Sequence, residues 1–404
     1  MKLAVLGTDP DVLTLVEAAL AAGHRMMWLG DVRPEDAAAM QRLMPGLGGS
    51  ADWESLLDHS LADAVLVGRG TADDTLRAVQ LKRLVADVMP VLAVHPVGTS
   101  VLVYYELDMA RHEIHGLLRH YSPPSGSPAV AQLADWVQTG SGPIGTVHQI
   151  ILQRSLTDCG RESVIRHLAR DAEVLRTVAG GVRTVNAVGP LVADATYASL
   201  QVQMTCPGAT TLRWSIAPAT HDSPRAWLTL VGAQGTAQLQ LSADGGKLST
   251  NVGGQETTLP MPPFDAPSAA IDELAAALSA SGTEQSEAAS TWQQATAAME
   301  IVDTIELSLQ KGRTIEVHGQ RLTEQLAFRG TMAAFGCGLL LLVFFALVVA
   351  GLLGDVLGIP LKGYWPIALL AVLAVFLLMQ TLPWLVKRRR PVSSPMNVQN
   401  EAER

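Results

Sequence analysis

The sequence contains little cysteine, and this scarcity limits what can hold the chain together. Only Cys159, Cys206 and Cys337 occur among the 404 residues, and none of them forms a Cys-x-x-Cys pair. A disulfide framework needs several paired cysteines, and a zinc knuckle needs closely spaced ones. Neither is indicated, no metal site is predicted, and the composition favours a reducing, cytoplasmic setting.

An excess of positive charge is also missing. The chain has 29 Lys and Arg residues against 38 Asp and Glu residues, a formal net charge of −9. No basic stripe precedes the last few residues, so no nucleic-acid partner is expected. The N-terminus does not have the pattern of a signal peptide, because the strand-like LAVLG at 3–7 is followed by an acidic turn rather than by a long apolar core.

Charge is absent from two long runs near the C-terminus, at 331–353 and 366–386. Each run has about the 20 residues that a helix needs to cross a bilayer. Both are apolar all round, whereas a helix on the surface of a soluble core has a polar stripe. We therefore predict a transmembrane hairpin in which a short external loop, 354–365, joins the two spans.

Basic residues flank this hairpin on its outer sides. Arg321 and Arg329 precede the first span, and the basic run 387–390 follows the second. By the positive-inside rule, both flanks face the cytoplasm. The prediction is an inner-membrane protein with a linker at 321–330, a cytoplasmic tail at 387–404 and its soluble part on the cytoplasmic side.

Strand-like and helix-like segments alternate over residues 1–120. The strand-like segments lie at 2–7, 24–31, 62–68 and 90–94, and the helix-like ones at 11–22, 32–44, 51–59 and 71–88. Such alternation is typical of β-α-β units. The predicted fold class is α/β for this part, with a Rossmann-like doubly wound parallel sheet.

A loop rich in proline, serine and glycine, HYSPPSGSP at 120–128, marks the predicted internal boundary. After it, a series of strand-like runs joined by short turns predicts a large, mainly antiparallel sheet. The helices expected in this part lie at 129–140, 162–177, 268–280 and 287–310. The second domain, 121–320, is therefore predicted to be α+β.

Several segments, taken in order, resemble the Gfo/Idh/MocA oxidoreductases. They are the strand-turn-helix start, DVRPEDA after the second strand, a strand ending in VHP, TGSGPIGTVHQI, LVGAQGTAQLQL and the closing AMEIVDTIELSLQKGRTIEV. The resemblance covers about residues 1–318 and implies a dinucleotide-binding domain followed by an α+β domain. It also implies NAD or NADP as the cofactor. The membrane hairpin is an addition to the usual plan of the family.

Two glycines are missing where the resemblance implies the dinucleotide site. In G-x-G-x-x-G, the first glycine makes the turn, the second lets the backbone approach pyrophosphate, and the third lets helix and strand pack. The corresponding residues are Gly7, Asp9 and Val12. Asp9 brings negative charge to the helix N-terminus, where phosphate would lie, and it is also a good N-cap. Asp31 stands about where an acidic residue takes the ribose hydroxyls, so Gly7, Asp9 and Asp31 are the candidate cofactor residues.

The family's Glu-Lys-Pro motif, whose lysine lies near the reacting carbon and the nicotinamide, is replaced by Val94-His95-Pro96. A histidine titrates near neutral pH, so His95 is the candidate catalytic acid or base. The other interpretation, a loop histidine at a strand end, stays open.

The family's catalytic pattern D-x-G-x-H-x-x-D best matches RHLARDAE at 166–173. The residues in the Asp, Gly, His and Asp positions are Arg166, Leu168, Arg170 and Glu173. Both proton-handling positions are arginines, which stay charged and cannot act as a general base. Arg166 and Arg170 are instead candidates for binding a phosphate or carboxylate, with a solvated helix face as the alternative. A shift in register would pair His167 with Asp171 on one face.

Three altered motifs in one chain favour a protein that has lost hydride-transfer chemistry. We predict a membrane-anchored pseudoenzyme, a scaffold or ligand sensor. Its expected partners are the lipid bilayer, a small anionic or sugar ligand, and a second copy bound through the open sheet of the second domain. The alternative is an active NAD(P)-dependent oxidoreductase that uses His95 as its acid/base on a sugar or polyol-like substrate.

Overall fold

The computed structural model describes residues 1–114, 116–190, 196–219, 225–242, 244–279 and 285–317. These residues lie in the first of two compact units, Met1–Gly319 and Gln320–Arg404. The predicted spans at 331–353 and 366–386, with the linker, loop and tail around them, lie outside the described residues. Within the described ranges, no helix combines the length and apolar character that crossing a membrane requires.

A parallel sheet forms the N-terminal part of the described chain. Its strands are β1 (Lys2–Leu6), β2 (Arg25–Gly30), β3 (Ala64–Val67), β4 (Val91–Val94) and β5 (Leu118–Tyr121). They are arranged in the order β2-β1-β3-β4-β5. Every residue of β3 and β4 is buried, as expected for a parallel sheet covered on both faces. The predicted doubly wound parallel sheet is confirmed.

The helices of this part are α1 (Pro10–Ala21), α2 (Ala37–Leu43), α3 (Asp74–Ala86) and α4 (Val101–Ile114), with a 3-10 turn at Trp53–Leu57. Helix α1 begins where the Asp9 carboxylate accepts the N–H of Val12 at 2.9 Å and Pro10 occupies the first turn. Helix α2 is shorter than the helix predicted over 32–44, because Pro34 and the two residues after it form a turn. Helix α4 is an element that the sequence analysis missed.

A larger sheet forms the second part. Its strands are β6 (Val147–Leu156), β7 (Thr184–Val188), β8 (Gln201–Thr205), β9 (Thr211–Pro218), β10 (Arg225–Gly232), β11 (Gly235–Gln240), β12 (Lys247–Val252), β13 (Gln255–Leu259) and β14 (Ile315–Glu316). Their order in the described residues is β13-β12-β11-β10-β6-β9-β8-β7-β14. Strands β6 and β9 are parallel, and the other neighbours are antiparallel. The predicted mainly antiparallel sheet is confirmed.

The helices of the second part are α5 (Pro128–Thr139), α6 (Arg161–Ala179), α7 (Ala266–Ser279) and α8 (Gln285–Lys311). The predicted boundary segment, 120–128, carries the chain from β5 to α5. Helix α8 packs on α6 and β7 in its own part and on α4 and β5 in the first part. The indole of Trp292 on α8 stacks on the ring of Tyr104 on α4, with centroids 5.2 Å apart. The two parts therefore share an apolar core.

Candidate functional site

The predicted site residues meet at the carboxyl edge of the parallel sheet. Gly7, Asp31 and His95 follow β1, β2 and β4. Helix α6 lies beside these strand ends. The guanidinium groups of Arg166 and Arg170 on this helix donate to backbone carbonyls of the loop after β4. Ligands of doubly wound folds bind at this edge.

The turn after β1 is buried, and its backbone is bonded to the loops on either side. Gly7 has a φ of +82°, and a Cβ there would lie 2.5 Å from Nη2 of Arg77. Thr8 is 0% exposed. Its N–H donates to the carbonyl of Asp31 at 3.3 Å, and its carbonyl accepts the N–H of Gly70 at 3.1 Å. The turn is thus enclosed between the loops that follow β2 and β3.

Asp9 joins the start of α1 to the loop after β3. Its Oδ1 accepts the N–H of Val12 at 2.9 Å, and its Oδ2 accepts the N–H of Arg69 at 3.0 Å. The side chain is buried. A carboxylate held in this way occupies the position at which a second glycine would let a phosphate approach.

Asp31 is bonded to the same loop. Its Oδ1 accepts both the N–H of Thr71, at 2.9 Å, and the hydroxyl of Thr71, while its Oδ2 accepts a hydrogen bond from Nη2 of Arg77. Burial works to raise the pKa of Asp31, but the hydrogen bonds from Thr71 and the charge of Arg77 outweigh it and place the pKa below its ordinary value. The carboxylate is ionised and already engaged.

Arg77 is a site residue that the sequence analysis missed. Its side chain is 3% exposed, and the guanidinium also donates to the carbonyl of Arg69 at 3.0 Å and to Oε1 of Gln80 at 2.8 Å. Burial lowers the pKa of Arg77, and the charge of Asp31 opposes this effect. A sequence signal for its burial exists, since Arg77 stands four residues before Leu81 on the apolar stripe of α3.

His95 is 0% exposed. The hydroxyl of Tyr104 accepts the N–H of Val97 at 3.0 Å and lies 2.9 Å from Nδ1 of His95. A hydrogen bond therefore joins the hydroxyl and the ring, and the tautomer of His95 decides which of the two donates. Among the described residues, Nε2 has no hydrogen-bond partner. Burial lowers the pKa of His95 to about 3, so the ring is neutral at neutral pH.

Arg166 and Arg170 extend from α6 to the parallel-sheet part. Arg166 forms an ion pair with Asp74 at 2.8 Å through Nη2, and its Nη1 donates to the carbonyl of Pro96 at 3.4 Å. Arg170 forms an ion pair with Asp11 at 2.5 Å and donates from Nε to the carbonyl of His95 at 2.7 Å. Both guanidinium groups are paired with groups of this chain, and the binding of an external phosphate or carboxylate by them stays a prediction.

A buried carboxylate that the sequence analysis left without a role lies beside His95. Glu173 is 2% exposed, and its Oε1 accepts from Nε2 of His120 at 2.9 Å and from the hydroxyl of Ser125 at 2.8 Å. Burial works to raise the pKa of Glu173, but the charge and hydrogen bond of His120 outweigh it and bring the pKa to about 2. The rings of His120 and His95 meet edge to face with centroids 5.8 Å apart.

Asp171 is bonded within the second part. Both of its carboxylate oxygens accept hydrogen bonds from the guanidinium of Arg154, and Oδ2 also accepts the indole N–H of Trp214 at 2.9 Å. The pairing of His167 with Asp171 that a shift in register suggested is replaced by these contacts. Burial lowers the pKa of His167 to about 4.

This arrangement does not fit a dinucleotide. The turn that would approach pyrophosphate is enclosed, and the carboxylate that would take the ribose is bonded to Thr71 and Arg77. Across the described ranges, no three His, Cys, Asp or Glu side chains are grouped so as to hold a metal ion. Gly7, Asp9 and Asp31 as cofactor residues stay a prediction that would need the loops to rearrange.

No protein-family model and no curated protein sequence matches the chain. Solved structures do match it. A putative NADPH-dependent oxidoreductase from Desulfitobacterium hafniense has a TM-score of 0.65 at 13% identity, over 78% of this chain and 98% of that one. GenD2 from gentamicin A biosynthesis, in complex with NAD, has a TM-score of 0.60 at 17% identity, over 78% and 96%.

A putative myo-inositol dehydrogenase from Sinorhizobium meliloti has a TM-score of 0.58 at 15% identity, over 78% of this chain and 99% of that one. Identities this low establish the architecture rather than the chemistry. The structural neighbours are Gfo/Idh/MocA-type oxidoreductases, and the described chain has their fold.

Proposed function

We propose that this protein is a membrane-anchored pseudoenzyme with the Gfo/Idh/MocA-type fold, which acts as a scaffold or ligand sensor. The observation that carries the proposal is the link between Asp31, Thr71 and Arg77. Because β1 lies between β2 and β3 in the sheet, a link from the end of β2 to the loop after β3 passes over the end of β1. A dinucleotide would have to occupy that place.

The energy of this link sets the size of the obstacle. A nucleotide that used Asp31 would first separate it from Arg77, whose side chain is 3% exposed. Breaking a buried ion pair costs about 3–5 kcal/mol. Since about 1.4 kcal/mol corresponds to a tenfold change in affinity, the closure weakens dinucleotide binding by roughly two to four orders of magnitude.

The candidate proton-handling groups support the same proposal. His95 is fully buried and its pKa is lowered to about 3, so at neutral pH the ring is a neutral imidazole and lacks the second ring proton that a general acid would donate. Arg166 and Arg170 stand where the family has its acid and base, and an arginine cannot take a proton from an alcohol.

The proposed anchor is the pair of apolar runs at 331–353 and 366–386, with the soluble part at the inner face of the membrane. Self-association is proposed through the face of the large sheet turned away from α6 and α8. Gln153 and Arg213 are exposed on that face and Trp227 is half-buried. Tryptophan and arginine are enriched at protein interfaces.

Calorimetric titration of the full-length chain with NAD, NADH, NADP and NADPH tests the proposal. The expected result is no binding up to millimolar nucleotide. Asp9→Gly, which restores the second glycine but leaves Asp31 and Arg77 paired, is the matched variant and is also expected not to bind. Micromolar binding by the unaltered chain would refute the proposed loss of cofactor binding.

The alternative function is an NAD(P)-dependent oxidoreductase acting on a sugar or polyol-like substrate with His95 as its acid/base. It is favoured by the structural neighbours, one of which is in complex with NAD. If the chain binds nucleotide, turnover should be sought with polyols and compared with His95→Ala. Loss of turnover with unchanged nucleotide affinity would support this alternative.

A further inference from the structure

One face of α6 carries a row of charged side chains spaced one turn apart. Glu162, Arg166 and Arg170 follow at intervals of four residues, which places them in line on a helix. Each reaches the parallel-sheet part of the chain. Glu162 pairs with Arg69 at 2.5 Å, Arg166 with Asp74 at 2.8 Å, and Arg170 with Asp11 at 2.5 Å.

The partners of this row come from three segments at the carboxyl edge of the parallel sheet. Asp11 lies in the first turn of α1, Arg69 in the loop after β3, and Asp74 in the first turn of α3. The two arginines also bind carbonyls of the loop after β4, those of His95 and Pro96. A single helix face thus joins three loops that are distant in the sequence.

The charges of the row and its partners balance. Three arginines meet three carboxylates, so the six charges sum to zero while the pairs are formed. The opposite face of α6 is anchored in the core through Ile165, Leu168 and Ala172. The ion pairs can therefore part while the helix stays in place.

We propose that Glu162, Arg166 and Arg170 form an ionic latch that holds α6 against the loops at the carboxyl edge of the parallel sheet, an autoinhibitory contact that salt or a competing anion releases. The side chains of its ion pairs are 15–55% exposed, so added salt screens them. The Asp31–Arg77 pair beneath is more deeply buried and is screened less. The latch is the outer of two closures, and it does not depend on whether the protein retains chemistry.

Hydrogen exchange of the full-length chain, followed by mass spectrometry in 50 mM and 1 M NaCl, tests the latch. The reporters are the loops at 7–12, 68–74 and 94–99, and the hairpin of β12 and β13 is the internal reference. In Arg166→Gln/Arg170→Gln, we expect exchange in the three loops to be about tenfold faster, with the hairpin unchanged. Wild type in 1 M NaCl should change in the same direction.

Lys82→Gln is the matched control, because it removes an exposed ion pair, to Glu106, in the same part of the chain. It should leave all three loops unchanged. A charge exchange adds a second test: Asp11→Arg should release the loop at 7–12, and Asp11→Arg/Arg170→Asp should restore its protection.

Unchanged hydrogen exchange in the three loops of the double arginine variant would overturn the latch. Equally faster exchange in the hairpin of β12 and β13 would also overturn it, since that result means general destabilisation. Titrating the double variant with NAD separates this proposal from the proposed function. Binding of NAD by the double variant but not by wild type would support the latch and refute the pseudoenzyme. If the double variant binds no NAD and its three loops exchange faster, both proposals are supported.

Discussion

His95 makes the stability of the fold depend on pH in a way that one substitution isolates. Burial lowers its pKa to about 3 in the folded chain, from an ordinary value of 6.5. Between these two values the unfolded chain binds a proton at His95 that the folded chain does not. The contribution of His95 to the free energy of unfolding is therefore fully present above about pH 6.5 and is lost as the pH falls toward 3.

The magnitude follows from the width of that window. Each pH unit within it changes the free energy of unfolding by about 1.4 kcal/mol. At pH 4.5, about two units below the ordinary pKa, His95 should cost the fold roughly 2–3 kcal/mol relative to pH 7. His167, with its pKa lowered to about 4, acts in the same direction, so wild type alone does not separate the two histidines.

Urea denaturation of wild type and His95→Gln at pH 7, 6, 5 and 4.5 isolates this share. The glutamine keeps an oxygen that can accept from the hydroxyl of Tyr104. Acidification should destabilise wild type by roughly 2–3 kcal/mol more than the variant. Stopping at pH 4.5 leaves out Glu173, whose contribution is lost between about 4.5 and about 2.

His148→Gln is the control, because His148 is exposed on β6. Its pH dependence should match that of wild type. If wild type and His95→Gln lose stability in parallel from pH 7 to 4.5, then His95 is not held neutral in the folded chain. That result would mean that His95 takes up its second ring proton near pH 6.5 in the folded chain and could act as a general acid.

Other substitutions test single contacts by chemical denaturation. Gly7→Ala puts a Cβ 2.5 Å from a guanidinium nitrogen and should lower the free energy of unfolding by about 2–3 kcal/mol. Gly254→Ala, at a residue with a similar φ and no atom within 4 Å, should lower it by only about 1 kcal/mol. Equal losses of stability in the two variants would contradict the crowding at Gly7. Arg77→Met leaves the partly buried carboxylate of Asp31 without its ion-pair partner and should cost about 3 kcal/mol, against at most about 1 kcal/mol for Lys82→Met at the surface. Trp214→Phe removes a donor to a buried carboxylate and should cost about 1–3 kcal/mol; a neutral result would mean that this hydrogen bond is not formed.

Much of the architecture could be predicted from local patterns. The strands of the first sheet are buried on both faces, so each is a continuous apolar run that is visible in the sequence. Helix α4 was missed because Leu102 and Met109 are 64% and 49% exposed, which spoils the amphipathic pattern. The site residues meet at one edge because the carboxyl ends of parallel strands share that edge, which is a consequence of topology.

The state of those residues could not be predicted in the same way. Asp31 and Arg77 are 46 residues apart in the chain, and Arg166 and Asp74 are 92 apart. No local pattern reports which distant carboxylate a guanidinium will meet. The burial of His95 depends likewise on α6, which closes over the loop after β4, and the motif Val94-His95-Pro96 carries no sign of it.

The parallel pairing of β6 with β9 has a consequence for the order of events during synthesis. Strand β6 lies inside the large sheet, but its partner residues on β9 and β10 follow it by about sixty to eighty residues. A nascent chain that has reached α6 holds the apolar face of β6 without a neighbour on either side. The N-terminal sheet, complete at β5, has all its strands by then, so it is expected to form first and to wait for the second sheet to assemble.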